Sequence, residues 1–93
     1  MIKHIVMWKL NDPADAPRFK SLLETCKGLV SGMREFEVAV RAEGLEANHD
    51  VVLYLVFDDA AALQSYVVHP KHQSVAATLG TLRESRAVFD FEA

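Results

Sequence analysis

Hydrophobic and polar positions alternate over the first ten residues. Ile2, His4, Val6, Trp8 and Leu10 share one parity; Lys3, Ile5, Met7 and Lys9 share the other. A period of two is that of a β-strand, whose successive side chains point to opposite faces. Both parities carry apolar residues, which implies cover on both faces. The period then changes. After the turn chemistry of "NDPADAP", Phe19, Leu22, Leu23, Cys26, Leu29, Val30 and Met33 recur at spacings of three and four and trace one face of a helix. Gly32 reads as the stop of that helix, and Gly28 weakens its pattern from within.

Alternation returns with Phe36, Val38 and Val40 set against Glu35, Glu37 and Arg41, an amphipathic second strand. "AEGLEAN" reads as a loop. "HDVVLYLVF", residues 49–57, is nearly all apolar and predicts a central third strand. Asp58 or Asp59 can cap a second helix, with Leu63, Tyr66 and Val67 on its inner face. Pro70 interrupts it, because the residue before a proline is driven out of helical geometry. A new helix starts at Pro70 or Lys71, with His72, Val75, Ala76, Leu79 and Leu82 as its stripe. In "RAVFDFEA", Ala87, Phe89 and Phe91 alternate with Val88 and Asp90, a fourth strand.

The order β-α-β-β-α-β, with the second helix broken near residue 69, predicts an α+β, ferredoxin-like fold: a four-stranded antiparallel sheet with the helices on one face. The other face, with Ile5, Met7, Val52, Tyr54 and Val56, then lies uncovered. Such a patch marks a partner surface. The simplest partner is a second copy, giving a homodimer through the open sheet face, a dimeric α/β barrel.

Composition narrows this further. Ninety-three residues suit a single domain spanning 1–93. The hydrophobic fraction of 51% is high for a small monomer and agrees with a subunit interface. A net charge of −3 with no basic stripe argues against a nucleic-acid partner. No apolar run approaches the roughly 18–20 residues of a membrane span, and the alternating N-terminus is no signal peptide. The single cysteine, Cys26, excludes an internal disulfide, so a reducing, cytoplasmic setting is expected.

Candidate chemistry centres on histidine. There are four, two of them in "HPKHQ", residues 69–73. Pro70 separates that pair, leaving His69 before the helix and His72 inside it, so the two rings diverge. A zinc site would also need further ligands, and none is in pattern. His69 reads as a cap or a loop hydrogen-bonding residue. Taken singly, each histidine is most simply structural. The functional reading rests on convergence: His4 and His49 share strand parities with core residues, and Tyr66 and His72 lie on helix faces turned to the sheet. Together they can line a small-molecule pocket. Imidazole suits general acid–base work near neutral pH, and a tyrosine hydroxyl can hold a carbonyl or developing oxyanion.

"IKHIVMWKL", "SYVVHPKHQ" and "RAVFDFE" resemble the stress-responsive dimeric α/β-barrel (Dabb) domain family over essentially the whole chain. That resemblance implies a ferredoxin-like protomer that dimerises into a barrel. A plant polyketide cyclase of the family closes a linear polyketide by an aldol step without metal or organic cofactor. By resemblance to it, His72 is the general base, Tyr66 assists and holds the substrate carbonyl, and His4 and His49 line the pocket. The match is incomplete: "LEANHD" replaces the family's usual approach to the third strand, and "FDF" lacks one terminal hydroxyl. Cofactor-free aldol, isomerase or lyase chemistry is the reading that follows. The alternatives are a non-catalytic ligand-binding homodimer associated with stress, and a cofactor-independent monooxygenase of the same fold.

Overall fold

The chain runs β1 (Ile2–Leu10), α1 (Ala16–Glu24), β2 (Met33–Val40), β3 (Val51–Phe57), α2 (Ala60–Val68), α3 (Pro70–Leu82) and β4 (Arg83–Glu92) in the computed structural model, which describes residues 1–93. The strands make one antiparallel sheet in the order β2-β3-β1-β4. This is the ferredoxin-like arrangement that the succession of periods predicts.

One face of the sheet carries the core. Val6, Trp8 and Leu10 of β1 and Val51, Leu53, Leu55 and Phe57 of β3 are buried there. The helices close over them with Phe19 and Leu23 from α1, Ala62 and Tyr66 from α2, and Val75 and Leu79 from α3. Trp8 and Phe19 meet edge to face with ring centres 5.0 Å apart. Each large apolar side chain buried in this way contributes roughly 1.5–3 kcal/mol.

The first helix is shorter than its apolar pattern predicts. It ends at Glu24, and Cys26, Lys27 and Leu29 continue in turns whose N–H groups bond to carbonyls three residues back. Cys26 is still fully buried, and Leu29, Val30 and Met33 still pack against the core. The apolar spacing therefore records packing that the chain satisfies through turns. Gly28, at φ +74°, takes the left-handed conformation just after the helix. Gly32 does the same at φ +89° before β2, and its carbonyl accepts a hydrogen bond from the Asp58 N–H at 2.9 Å.

The helix break falls where Pro70 predicts it. Asp59 caps α2 by accepting from the Ala62 N–H at 2.9 Å. His69 takes extended geometry at the junction, and its Nδ1 accepts from the Lys71 N–H at 3.0 Å. It closes α2 and opens α3, the capping role expected of it.

At the far end of β1, Asp50 is a buried carboxylate that accepts from the Leu10 N–H at 2.8 Å. The Asp50 N–H in turn donates to the Trp8 carbonyl at 2.8 Å. These bonds tie the entry of β3 to the exit of β1. No helix is long and apolar enough to cross a membrane.

The opposite face of the sheet carries Lys3, Ile5 and Met7 of β1, Val52 and Tyr54 of β3, and Phe89 and Phe91 of β4, as the strand register places them. Phe89 is 68% exposed, Met7 37% and Phe91 36%. Val56, expected to need external cover, is already 4% exposed within the chain.

Candidate active site

A cavity of about 240 Å³ lies on the helix side of the sheet, between β1, the break joining α2 to α3, and the start of β4. Its size is at the small end for organic ligands. Trp8, Leu23, Leu53, Val75 and Leu79 make its apolar wall. Its polar groups are His4, Tyr66, His72, Arg83 and Arg86. Three of the four predicted site residues, His4, Tyr66 and His72, are thus brought together.

His49 does not join them. It lines a separate groove with Met7, Val52, Arg41 and Leu45, toward the open face of the sheet. The physical reason is local. β3 begins at Val51, and residues 48–50 form a bend. Asp50 and Val51 are both buried, so the strand alternation does not extend back to His49.

His4 is 6% exposed and its Nδ1 is hydrogen-bonded to the Asp90 carboxylate. The register of β1 and β4 sets His4 opposite Asp90. A carboxylate accepts only, so Nδ1 is the nitrogen that donates to it, and Nε2 is left without a protein partner. His72 is held likewise by a different acceptor: its Nδ1 donates to the Val67 carbonyl at 3.0 Å, across the turn that Pro70 creates. Its Nε2 is also left without a protein partner. Burial foremost holds the His72 imidazole below its ordinary range; His4, Arg86 and His69 nearby act in the same direction, and the Val67 carbonyl opposes them. The neutral ring, the form a general base needs, is the favoured one.

Tyr66 joins the group through its ring, whose centre is 4.5 Å from that of His72 and 5.5 Å from that of Phe57. Its hydroxyl is fully buried and makes no hydrogen bond of good geometry; the Cys26 thiol is its polar neighbour. Burial, then Cys26, pushes the phenol far above its ordinary range, so it stays protonated. Burial pushes the Cys26 thiol up as well. The pair is a neutral donor set beneath the cavity.

Asp90, Arg83 and Arg86 are site residues that hydrophobic periodicity does not single out. Asp90 has a faint signal as a charge inside an apolar terminal strand, on the parity opposite Phe89 and Phe91. The arginines have none, because their side of β4 depends on the register with β1.

Residues 2–93 match the family profile described as the stress responsive A/B barrel domain, Dabb. The chain belongs to the Dabb family. A relative in Streptomyces coelicolor, an uncharacterised protein, is 34% identical over 82 residues, covering 83% of this chain and 84% of that one. The crystal structure of a dimeric ferredoxin-like protein of unknown function from Bacteroides fragilis is 30% identical and superposes with a TM-score of 0.82, over 99% of this chain and 95% of that chain. SnoaB, a cofactor-independent oxygenase from Streptomyces nogalater, superposes with a TM-score of 0.79 over 99% of this chain and 91% of that chain; at 15% identity this shows a shared fold alone.

Proposed function

We propose that this Dabb protein binds a small organic molecule in the cavity above Tyr66 and moves protons on it without a cofactor, at carbon adjacent to a carbonyl. Aldol, isomerase and lyase steps all begin this way. One observation supports the reading above the rest: two imidazoles from different elements line one cavity, each anchored through Nδ1 with Nε2 unengaged. His72, held neutral, takes the proton. His4, braced by Asp90, returns it or steadies the charge that develops on the substrate oxygen. The Tyr66 hydroxyl is protonated but enclosed beside Cys26, so in this reading it donates to a substrate carbonyl only once its ring tilts toward the cavity. Positioned groups of this kind supply roughly 10²–10⁴-fold from proton transfer. The apolar wall excludes water and selects by shape.

The functional unit in this reading is a homodimer formed through the open sheet face, which the helices leave bare. The cavity opens on the opposite side of the sheet, so pairing leaves it accessible.

The test is hydrogen–deuterium exchange at the α-carbons of simple ketones and oxo acids in D₂O, followed by NMR. The folded protein accelerates exchange on at least one class. His72→Gln removes that acceleration and leaves the melting temperature within a few degrees. Ligands that shift the His4 and His72 ring signals but never exchange would mark a binding protein instead, the non-catalytic alternative.

A further inference from the structure

The cavity walls contain no carboxylate. Their polar groups are two histidines, a tyrosine and two arginines, in a chain whose net charge is −3. Neither Arg83 nor Arg86 takes part in an ion pair, whereas Arg34 pairs with Asp58 and Arg41 stands 4.0 Å from Asp50.

The backbone explains how two arginines come to the same wall. In "RESR", residues 83–86, simple alternation would set Glu84 on the face of Arg86, within reach of neutralising it. The ladder between β1 and β4 is irregular here: Ser85 is opposite Lys9, but Arg83 rather than Glu84 is opposite Leu10. Glu84 is the extra residue of a bulge. Trp8 and Leu10 are inward-facing positions of β1, so Arg86 and Arg83, their partners, share the cavity side. Glu84 turns away and approaches Lys9 Nζ at 3.7 Å. The bulge turns Glu84 away, and the remaining acid on this side, Asp90, is taken up by His4, so the two guanidiniums stand beside the imidazoles without an ion pair.

From this we infer that the cavity selects a carboxylate-bearing substrate, a small oxo acid, with Arg86 and Arg83 gripping the carboxylate while its activated carbon lies toward His4 and His72. The inference rests on the proposed function and adds the substrate class. A guanidinium offers a planar fork of N–H donors that matches a carboxylate. The cavity's small volume and apolar floor suit a short carbon chain behind that charge. After burial and His4, Arg86 is a further influence that disfavours a positive charge on His72.

The test uses a matched pair of probes, 2-oxopentanoate and 2-oxopentanamide, titrated into the protein by calorimetry with the histidine ring signals followed by NMR. The acid should bind at least about tenfold more tightly than the amide, a charge-assisted preference. Arg86→Met should bring the acid to within about twofold of the amide, and Arg83→Met should erode the preference partially, both with unchanged melting temperature because neither side chain is buried or paired. Raising KCl should weaken the acid and not the amide. Equal binding of acid and amide to the unaltered protein, with ring shifts at His4 and His72, overturns the inference and leaves the pocket reading standing. A preference that survives the double variant also overturns it. If neither probe binds or shifts the rings, the pocket reading fails and this inference with it.

Discussion

The Tyr66 hydroxyl carries two opposed free-energy terms. It is buried without a hydrogen bond of good geometry, a burden of about 1–3 kcal/mol for a neutral polar group. A merely structural residue at this position would do better as phenylalanine. Tyr66→Phe is therefore expected to raise the melting temperature, by about 4–8 °C for each kcal/mol relieved in a domain of this size, while weakening α-carbon exchange. A scanning calorimeter and the exchange assay read the two effects separately. A lower melting temperature would mean that the hydroxyl is satisfied by Cys26 and serves packing alone. His72 makes a prediction of pH dependence. Its folded-state affinity for a proton is depressed, chiefly by burial. The unfolded chain, with an ordinary imidazole near about 6.5, then takes up a proton that the folded chain resists. This contribution to stability is present above that pH and is lost as pH falls through the lower, folded-state value. Urea denaturation at pH 7.5 and pH 5 should show a loss on acidification that His72→Gln reduces; an unchanged loss in the variant would assign it to other groups.

At the scale of elements, the turns at either end of β2 and around Pro70 set where side chains go. Gly32 shows this in two ways. Its φ of +89° strains any other residue, and an added Cβ would stand 2.9 Å from the Ala62 Cβ on α2. Gly28 has φ +74° with nothing within 4 Å of such a Cβ. Both alanine variants incur backbone strain of about 1–3 kcal/mol, but only Gly32→Ala must also displace α2. Gly32→Ala should thus lower the denaturation midpoint clearly more than Gly28→Ala; equal losses would mean that α2 yields freely. The periods of two and three-to-four made the strands and the two later helices legible in the sequence, and Pro70 with His69 marked the break between them. The end of α1 was not legible, because Cys26, Leu29, Val30 and Met33 remain inward-facing in turns as they would in a helix. His49 was misplaced because strand parity was extended back from Val51 into the bend at residues 48–50, in which His49 lies. His4, Tyr66 and His72 could be grouped from periodicity, since each lies inside a regular element. Asp90 and the arginines could not, since strand register, and a bulge within it, decides what they face.

The whole molecule is shaped by what its two sheet faces do, and β4 links them. Along that edge strand, Phe89 and Phe91 project to the open face while Asp90 between them holds His4 on the cavity side. The aromatic pair, with ring centres 6.0 Å apart, has Lys3 beside Phe91 and little else above it; Phe89 is 68% exposed. A chain of 93 residues has a small core and gains much by covering such a face. The Bacteroides fragilis relative is a dimer of the same fold. If a second copy covers this face here, the melting temperature rises with protein concentration, because assembly stabilises the folded chain by mass action. Phe89→Lys places a charge where the two sheets would meet. It should yield a monomer by light scattering, with a lower melting temperature that no longer depends on concentration. If those dimer contacts also brace β4 from the open side, the monomer should show weaker carbon-acid exchange through a loosened Asp90–His4 pair, visible as a shifted His4 ring signal. A Phe89→Lys protein that keeps the dimer mass would place the interface elsewhere; one that becomes a monomer with an unaltered His4 signal would show that the two faces of the sheet act independently.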